Sequence, residues 1–117
     1  ILTLGPAMPQ MLSSPLLERA REAATRAYAP YSGWHVGAAV EFTEAPGPEV
    51  GANIENASFG LTICAERVAI FQGVLAGGKK LVRVALTCRD RDGNLVAKIA
   101  PCGACLQVIA EFGSANT

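Results

Sequence analysis

Cys64-Ala65-Glu66-Arg67 and Pro101-Cys102-Gly103-Ala104-Cys105 are the two stretches around which the chain is organised. Together they supply three thiolates and one carboxylate. Three protein ligands with an open fourth position is the layout of a catalytic zinc, whereas four ligands close a structural one. Cys64, Cys102 and Cys105 are therefore candidate ligands for one Zn2+ per chain. Glu66 stands two residues past the first cysteine, placed to handle the protons of a water activated at the open position. Its plain alternative is an acidic residue that favours a helix amino end. Three thiolates on a divalent ion leave one net negative charge, which blunts Lewis acidity. Arg67 is the natural counter-charge, donating to a zinc-bound sulfur; its plain alternative is a solvated surface charge.

The spacing around these motifs says how they meet. Cys64 to Ala76 reads as a helix with Val68, Phe71 and Leu75 on its apolar face, ended by Gly77-Gly78. Residues two apart on a helix do not share a face. Cys64 and Glu66 thus reach one site only if the helix points its amino end at it, and that end favours thiolate over thiol. Cys102 and Cys105, three apart, share one face of a second helix. Leu106, Val108, Ile109 and Phe112 carry that helix into the core, and Gly113 ends it. Two helix amino ends are expected to converge on one metal.

Upstream, residues 1–13 show no clear period and are expected to form a loose arm ahead of one domain over 14–117. Ser14 caps and Pro15 opens an amphipathic helix with Leu16, Leu17, Ala20, Ala23, Ala24 and Ala27 as its stripe. Turn chemistry over residues 28–33 breaks it. Val36–Phe42 and Glu49–Ile54 read as a hairpin. Asn53 and Glu55, two apart at a strand end, share a face; an amide and a carboxylate so placed suit neighbouring hydroxyls. Without further context they read as an exposed polar strand end. Leu81–Thr87 reads as a buried strand, making a strand–helix–strand crossover with the elements before it. Residues 95–100 fit a short strand or a loop. His35 is the sole histidine and reads as a packing or surface residue.

A Cys-x-Glu segment followed by Pro-Cys-x-x-Cys resembles the signature of the zinc nucleoside and nucleobase deaminases. Ala29-Pro30-Tyr31-Ser32, Val36-Gly37-Ala38-Ala39 and Asn53-Ile54-Glu55-Asn56-Ala57-Ser58 narrow the likeness to the small, free-nucleoside cytidine deaminases of the homotetrameric type, from about Leu16 to Phe112. The resemblance implies an α/β fold, a three-layer α/β/α sandwich with a mixed sheet. It implies zinc-dependent hydrolytic deamination of cytidine or deoxycytidine, in pyrimidine salvage. It gives Asn53 and Glu55 to the ribose, Ala65 backbone groups to the base, and Trp34 to packing against the pyrimidine, where the family usually has Phe. Trp34 reads equally as an anchor of the hairpin. Phe59 stands where the family often has Tyr. The family normally continues beyond the position of Thr117, so its carboxyl-terminal strand is expected to be missing here.

Composition bounds the partners. Ten basic and ten acidic residues leave a formal net charge of zero, no footprint for nucleic acid. No apolar run is long enough to span a membrane. With 17% charged and 50% hydrophobic residues the chain has little polar surface for a small monomer, which points to subunit contacts. Four cysteines, two of them spaced C-x-x-C, with no visible signal peptide, suit a cytoplasmic protein with reduced thiols. Three rivals stand beside the deaminase: a closed zinc module that recruits Cys88, a redox pair at Cys102 and Cys105, and a deaminase for another aminopyrimidine. The preference between cytidine and deoxycytidine is not legible.

Overall fold

Alternation through Val36–Phe42 gives a strand with two apolar faces, and the fold is built on both of them. The computed structural model describes residues 14–117; the arm expected over residues 1–13 lies outside the described residues. Strand β1 (His35–Phe42) is central. It pairs antiparallel with β2 (Glu49–Ala52) on one side and with β3 (Leu81–Arg89) on the other. Both neighbours oppose β1, so β2 and β3 run the same way. The helix between them, α2 (Ala65–Leu75), makes the expected crossover. Among the described residues the three strands pair antiparallel throughout, and parallel register occurs in the isolated bridge of Tyr28 with Ile54. Residues 95–100 form no strand; Leu95 makes one bridge to Arg89.

Helix α1 (Pro15–Ala24) starts as its sequence dictates. Pro15 opens it, and the Ser14 hydroxyl accepts a hydrogen bond from Leu17 N–H at 3.1 Å, a cap of about 1 kcal/mol. It closes earlier than the stripe through Ala27 suggests. The Thr25 hydroxyl donates to the Glu22 carbonyl at 2.6 Å, and Arg26 and Ala27 make tighter turns back to Ala23 and Ala24. A side chain that captures a late carbonyl competes with helix continuation.

Three layers result. On one face Leu16, Leu17 and Ala20 of α1 pack on Ala39 and Ala85. On the other, Ala38, Val40, Phe42, Val84 and Leu86 meet Ala65, Ala69 and Ile70 of α2. Ile109 of the last helix, α3 (Gly103–Phe112), joins that second core.

Small residues set how near the helices come. A Cβ on Gly37 would lie 2.7 Å from Ala24 N and closer still to Ala20 O. A Cβ on Gly51 would strike Ala69 N and lie 2.5 Å from Ala65 O. Helix α2 therefore buries Ala65, Glu66, Ala69, Ile70 and Gly73. This corrects the expected apolar face of Val68, Phe71 and Leu75: Phe71 is exposed, and Leu75 is 88% exposed. Backbone contact with β2 admits only a narrow stripe, in which Ile70 is the one large apolar side chain fully buried and Val68 is half-buried, while Phe71 and Leu75 stay outside. Leu106 of α3 is likewise exposed, whereas Val108 and Phe112 pack on the core as expected.

Gly37→Ala places a methyl group inside α1 backbone, and overpacking of this kind costs about 1–3 kcal/mol. A lower urea midpoint with an unchanged slope is the expected outcome; an unchanged midpoint would show that α1 can lift without loss.

Candidate active site

The amino ends of α2 and α3 face one another across a small group of sulfurs. Cys64 is the N-cap residue of α2 and Cys102 that of α3, both with extended backbone. Cys105 lies in the first turn of α3 and is fully buried. The three sulfurs lie within 4.8 Å of one another, and no histidine belongs to the group. Cys64 Sγ and Cys102 Sγ are 3.8 Å apart. Tetrahedral zinc with Zn–S near 2.3 Å needs sulfurs about 3.8 Å apart. The donor set and its spacing therefore fit zinc.

The thiols are not equivalent. Backbone N–H of Cys105 favours the Cys102 thiolate and outweighs the cost of its burial, holding its pKa below the ordinary thiol value. Burial pushes the Cys105 thiol well up, and the nearby Glu66 carboxylate adds to the rise. A cation amid the sulfurs reverses that second balance, because it favours every thiolate at once.

Glu66 is 4% exposed, in the first turn of α2. Cys64 is held at the cap and Glu66 is the second residue of the helix, close enough for its charge to act on the Cys105 thiol. This is the arrangement that the two-residue spacing demands. Arg67, the next residue, reaches back to the sulfurs. Its Nη2 donates to Cys64 Sγ at 3.4 Å. The Cys64 sulfur, against the cost of burial and with help from Cys105, raises the guanidinium pKa. Arg67 Nε is buried and has no partner among the described residues.

Cys88 is 1% exposed in β3, with its thiol donating to the Arg89 carbonyl at 3.7 Å. It is not among the grouped sulfurs. The closed four-cysteine site therefore has no support in the geometry. Burial, and then Asp90, raises its thiol pKa and keeps it protonated. His35 Nδ1 lies 3.1 Å from the Gly33 carbonyl oxygen, a local contact.

β2 ends at Ala52, short of the strand expected through Ile54, so Asn53 and Glu55 lie just past it, and each is hydrogen-bonded to the backbone of residues 31–36. Asn53, 7% exposed, accepts from Val36 N–H at 2.9 Å and donates to the Trp34 carbonyl at 2.8 Å. Glu55 Oε1 accepts from Tyr31 N–H at 3.0 Å and Ser32 N–H at 3.1 Å, while Oε2 accepts from the Ser32 hydroxyl. Burial pushes the Glu55 carboxyl up, but those Ser32 and Tyr31 donors win and hold it below its ordinary value. The Ser32 hydroxyl also accepts from Trp34 N–H at 3.0 Å. Ser32 is the residue the sequence did not reveal: it sits in a turn, and its partner is far away along the chain. Trp34 is 45% exposed, and Tyr31 meets Phe59 edge-on at 5.9 Å between ring centres.

Removing one ligand should empty the metal site, whereas the distant thiol should not matter. Cys102→Ser is expected to lower zinc content by tenfold or more, by about the loss of one thiolate from a four-coordinate site. Cys88→Ser is expected to keep one zinc per chain by metal analysis. Loss of zinc from the second variant would bring Cys88 into the site.

Residues 12–117 match the family model for the cytidine and deoxycytidylate deaminase zinc-binding region. The chain is 43% identical over 103 residues to a cytidine deaminase of Halalkalibacterium halodurans, covering 87% of this chain and 73% of the relative. It is 39% identical over 109 residues to a cytidine deaminase of Mycobacterium tuberculosis, covering 93% of this chain and 77% of the relative. The crystal structure of a cytidine deaminase from Burkholderia pseudomallei superposes with a TM-score of 0.72 at 41% identity, over 83% of this chain and 73% of that one. That of the Mycobacterium tuberculosis enzyme gives 0.71 at 40% identity, over 86% and 77%. With the paired cysteine motifs grouped at two helix ends, the chain belongs to the cytidine and deoxycytidylate deaminase family.

Proposed function

We propose that the chain hydrolyses free cytidine and deoxycytidine to uridine and deoxyuridine with release of ammonia, a step of pyrimidine salvage. The carrying observation is a buried carboxylate, Glu66, on the same helix end as a three-sulfur metal site. Cys64, Cys102 and Cys105 would hold zinc, which when bound supplies the Lewis acidity that makes water a nucleophile at neutral pH.

Glu66 takes a proton from the attacking water on a carboxylate oxygen. It gives that proton to the ring nitrogen beside the amino-bearing carbon, then takes the remaining proton from the hydroxyl now on that carbon and delivers it to the departing amino group, so that ammonia leaves as the carbonyl forms. One carboxylate suffices, because a single carbon gains oxygen and loses nitrogen. Arg67, donating to Cys64 Sγ at 3.4 Å, offsets the surplus negative charge of three thiolates together with the two helix amino ends.

The nucleoside is bound by Trp34 against the pyrimidine, Ala65 backbone groups on the base, and Asn53 with Glu55 on the sugar. Asn53 has one amide N–H and one lone pair beyond its bonds to residues 34 and 36, and Glu55 has further acceptor capacity. A sugar hydroxyl therefore joins a network already formed. Its substrate is a small molecule; a net charge of zero offers nothing to a nucleic acid. No described helix is long and apolar enough to cross a membrane. All four cysteines are free, which suits a reducing cytoplasm. Tyr28, Ile54, Phe59 and Leu61 are exposed around the sugar-binding turn, Phe59 by 74%, and Leu75 lies bare on α2. That much apolar surface on so small a chain supports a homotetramer.

Purified chain should release ammonia from cytidine. Glu66→Gln should lower turnover by about 10²–10⁴, the usual worth of a general acid–base, while zinc stays at one per chain. A zinc-loaded Glu66→Gln variant of full activity would remove Glu66 from the chemistry. Arg67→Ala is expected to weaken zinc retention or turnover; unchanged zinc and unchanged rate would remove Arg67. Sedimentation equilibrium should give a mass near four chains of 12.2 kDa.

A further inference from the structure

Ser32 is held from two sides. On one side are Glu55 and Trp34. On the other is Arg91, whose Nε and Nη2 both donate to the Ser32 carbonyl, at 3.1 and 2.9 Å. Two N–H groups of one guanidinium on one oxygen is the fork that only arginine presents. The arginine side chain lies over Gly33, whose φ is +74°. A Cβ there would sit 3.0 Å from Arg91 Cγ and 3.1 Å from Nε. The backbone angle favours glycine, and a methyl group there would also press the arginine aside by a few tenths of an ångström.

The base of this clamp is rigid. Asp90 Oδ1 accepts from Asp92 N–H at 3.0 Å and Asn94 N–H at 2.9 Å, and Asp90 N–H donates to the Asn94 carbonyl at 2.9 Å. Arg89 Nη1 closes the turn on the Gly93 carbonyl at 3.0 Å. With these groups engaged, the turn after β3 presents Arg91 from a fixed platform.

We infer that Arg91 is a positioning residue for nucleoside binding: through the Ser32 carbonyl it fixes the turn that carries Trp34 and that Glu55 grips. Its hydrogen bonds go to the Ser32 carbonyl, not to the sulfur group or to Glu66. Its effect falls on affinity for the nucleoside, and the metal site and proton transfer stand apart from it. The inference rests on the assignment of Trp34 and Glu55 to the substrate.

Steady-state kinetics on the zinc-loaded enzyme test it, with Arg91→Ala, Arg91→Lys and Trp34→Ala beside the parent. Arg91→Ala should raise KM for cytidine about five- to twentyfold, the loss of one charge-assisted anchor, with kcat within about twofold and zinc and Tm unchanged. Arg91→Lys, with one compact donor in place of the fork, should fall between. An unchanged KM in Arg91→Ala overturns the inference. If Trp34→Ala raises KM in that case, the substrate assignment survives; if neither variant moves it, the assignment falls too. A joint fall of kcat, zinc content and Tm in Arg91→Ala also overturns it, because Arg91 would then support the fold at large.

Discussion

Three sulfurs within 4.8 Å, two of them at helix caps, form the constraint on which the rest depends. Thiolates so close repel one another, and burial makes each costlier. Two helix amino ends aimed at the group, a guanidinium on Cys64 and a divalent ion are the sources of opposing charge. Helix direction is thereby fixed, since reversing either helix would present its negative end to the sulfurs. The crossover then follows: α2 must start near the end of β2 and return to β3 on the same face of the sheet.

Meeting at one point requires the helices to lie at set heights above the sheet. Here the small residues matter more than the large ones. Gly51 lets α2 backbone settle against β2, and Gly37 does the same for α1 on the opposite face. A bulky stripe on α2 would lift its amino end away from α3 and open the sulfur group. Both helix layers are thus set by glycines of the strands they cover.

The paired cysteine motifs were legible because metal ligation demands particular residue types at particular spacings. The Ser14-Pro15 start was legible because capping is local. The buried face of α2 was not. Val68, Phe71 and Leu75 outweigh Ala65, Ala69 and Gly73 in hydrophobicity, yet close contact selects for size, and that contact exists only once Gly51 is opposite. The early end of α1 was missed because Ala27 continues the stripe while Thr25 diverts a carbonyl. Ser32 was hidden because its partners come from a strand end and from a turn distant in sequence. Asn53 and Glu55 were found as a pair, but their hydrogen bonds to the backbone of residues 31–36 depend on the turn folding back on them.

Trp34 is the sole tryptophan of the chain. It is half exposed just ahead of β1, with its backbone tied to Ser32 and Asn53 on either side. The ultraviolet emission of the protein therefore arises chiefly from one indole at one place. Its colour and intensity register the wetness of the turn ahead of β1, so the molecule carries an intrinsic optical gauge of whatever covers that turn.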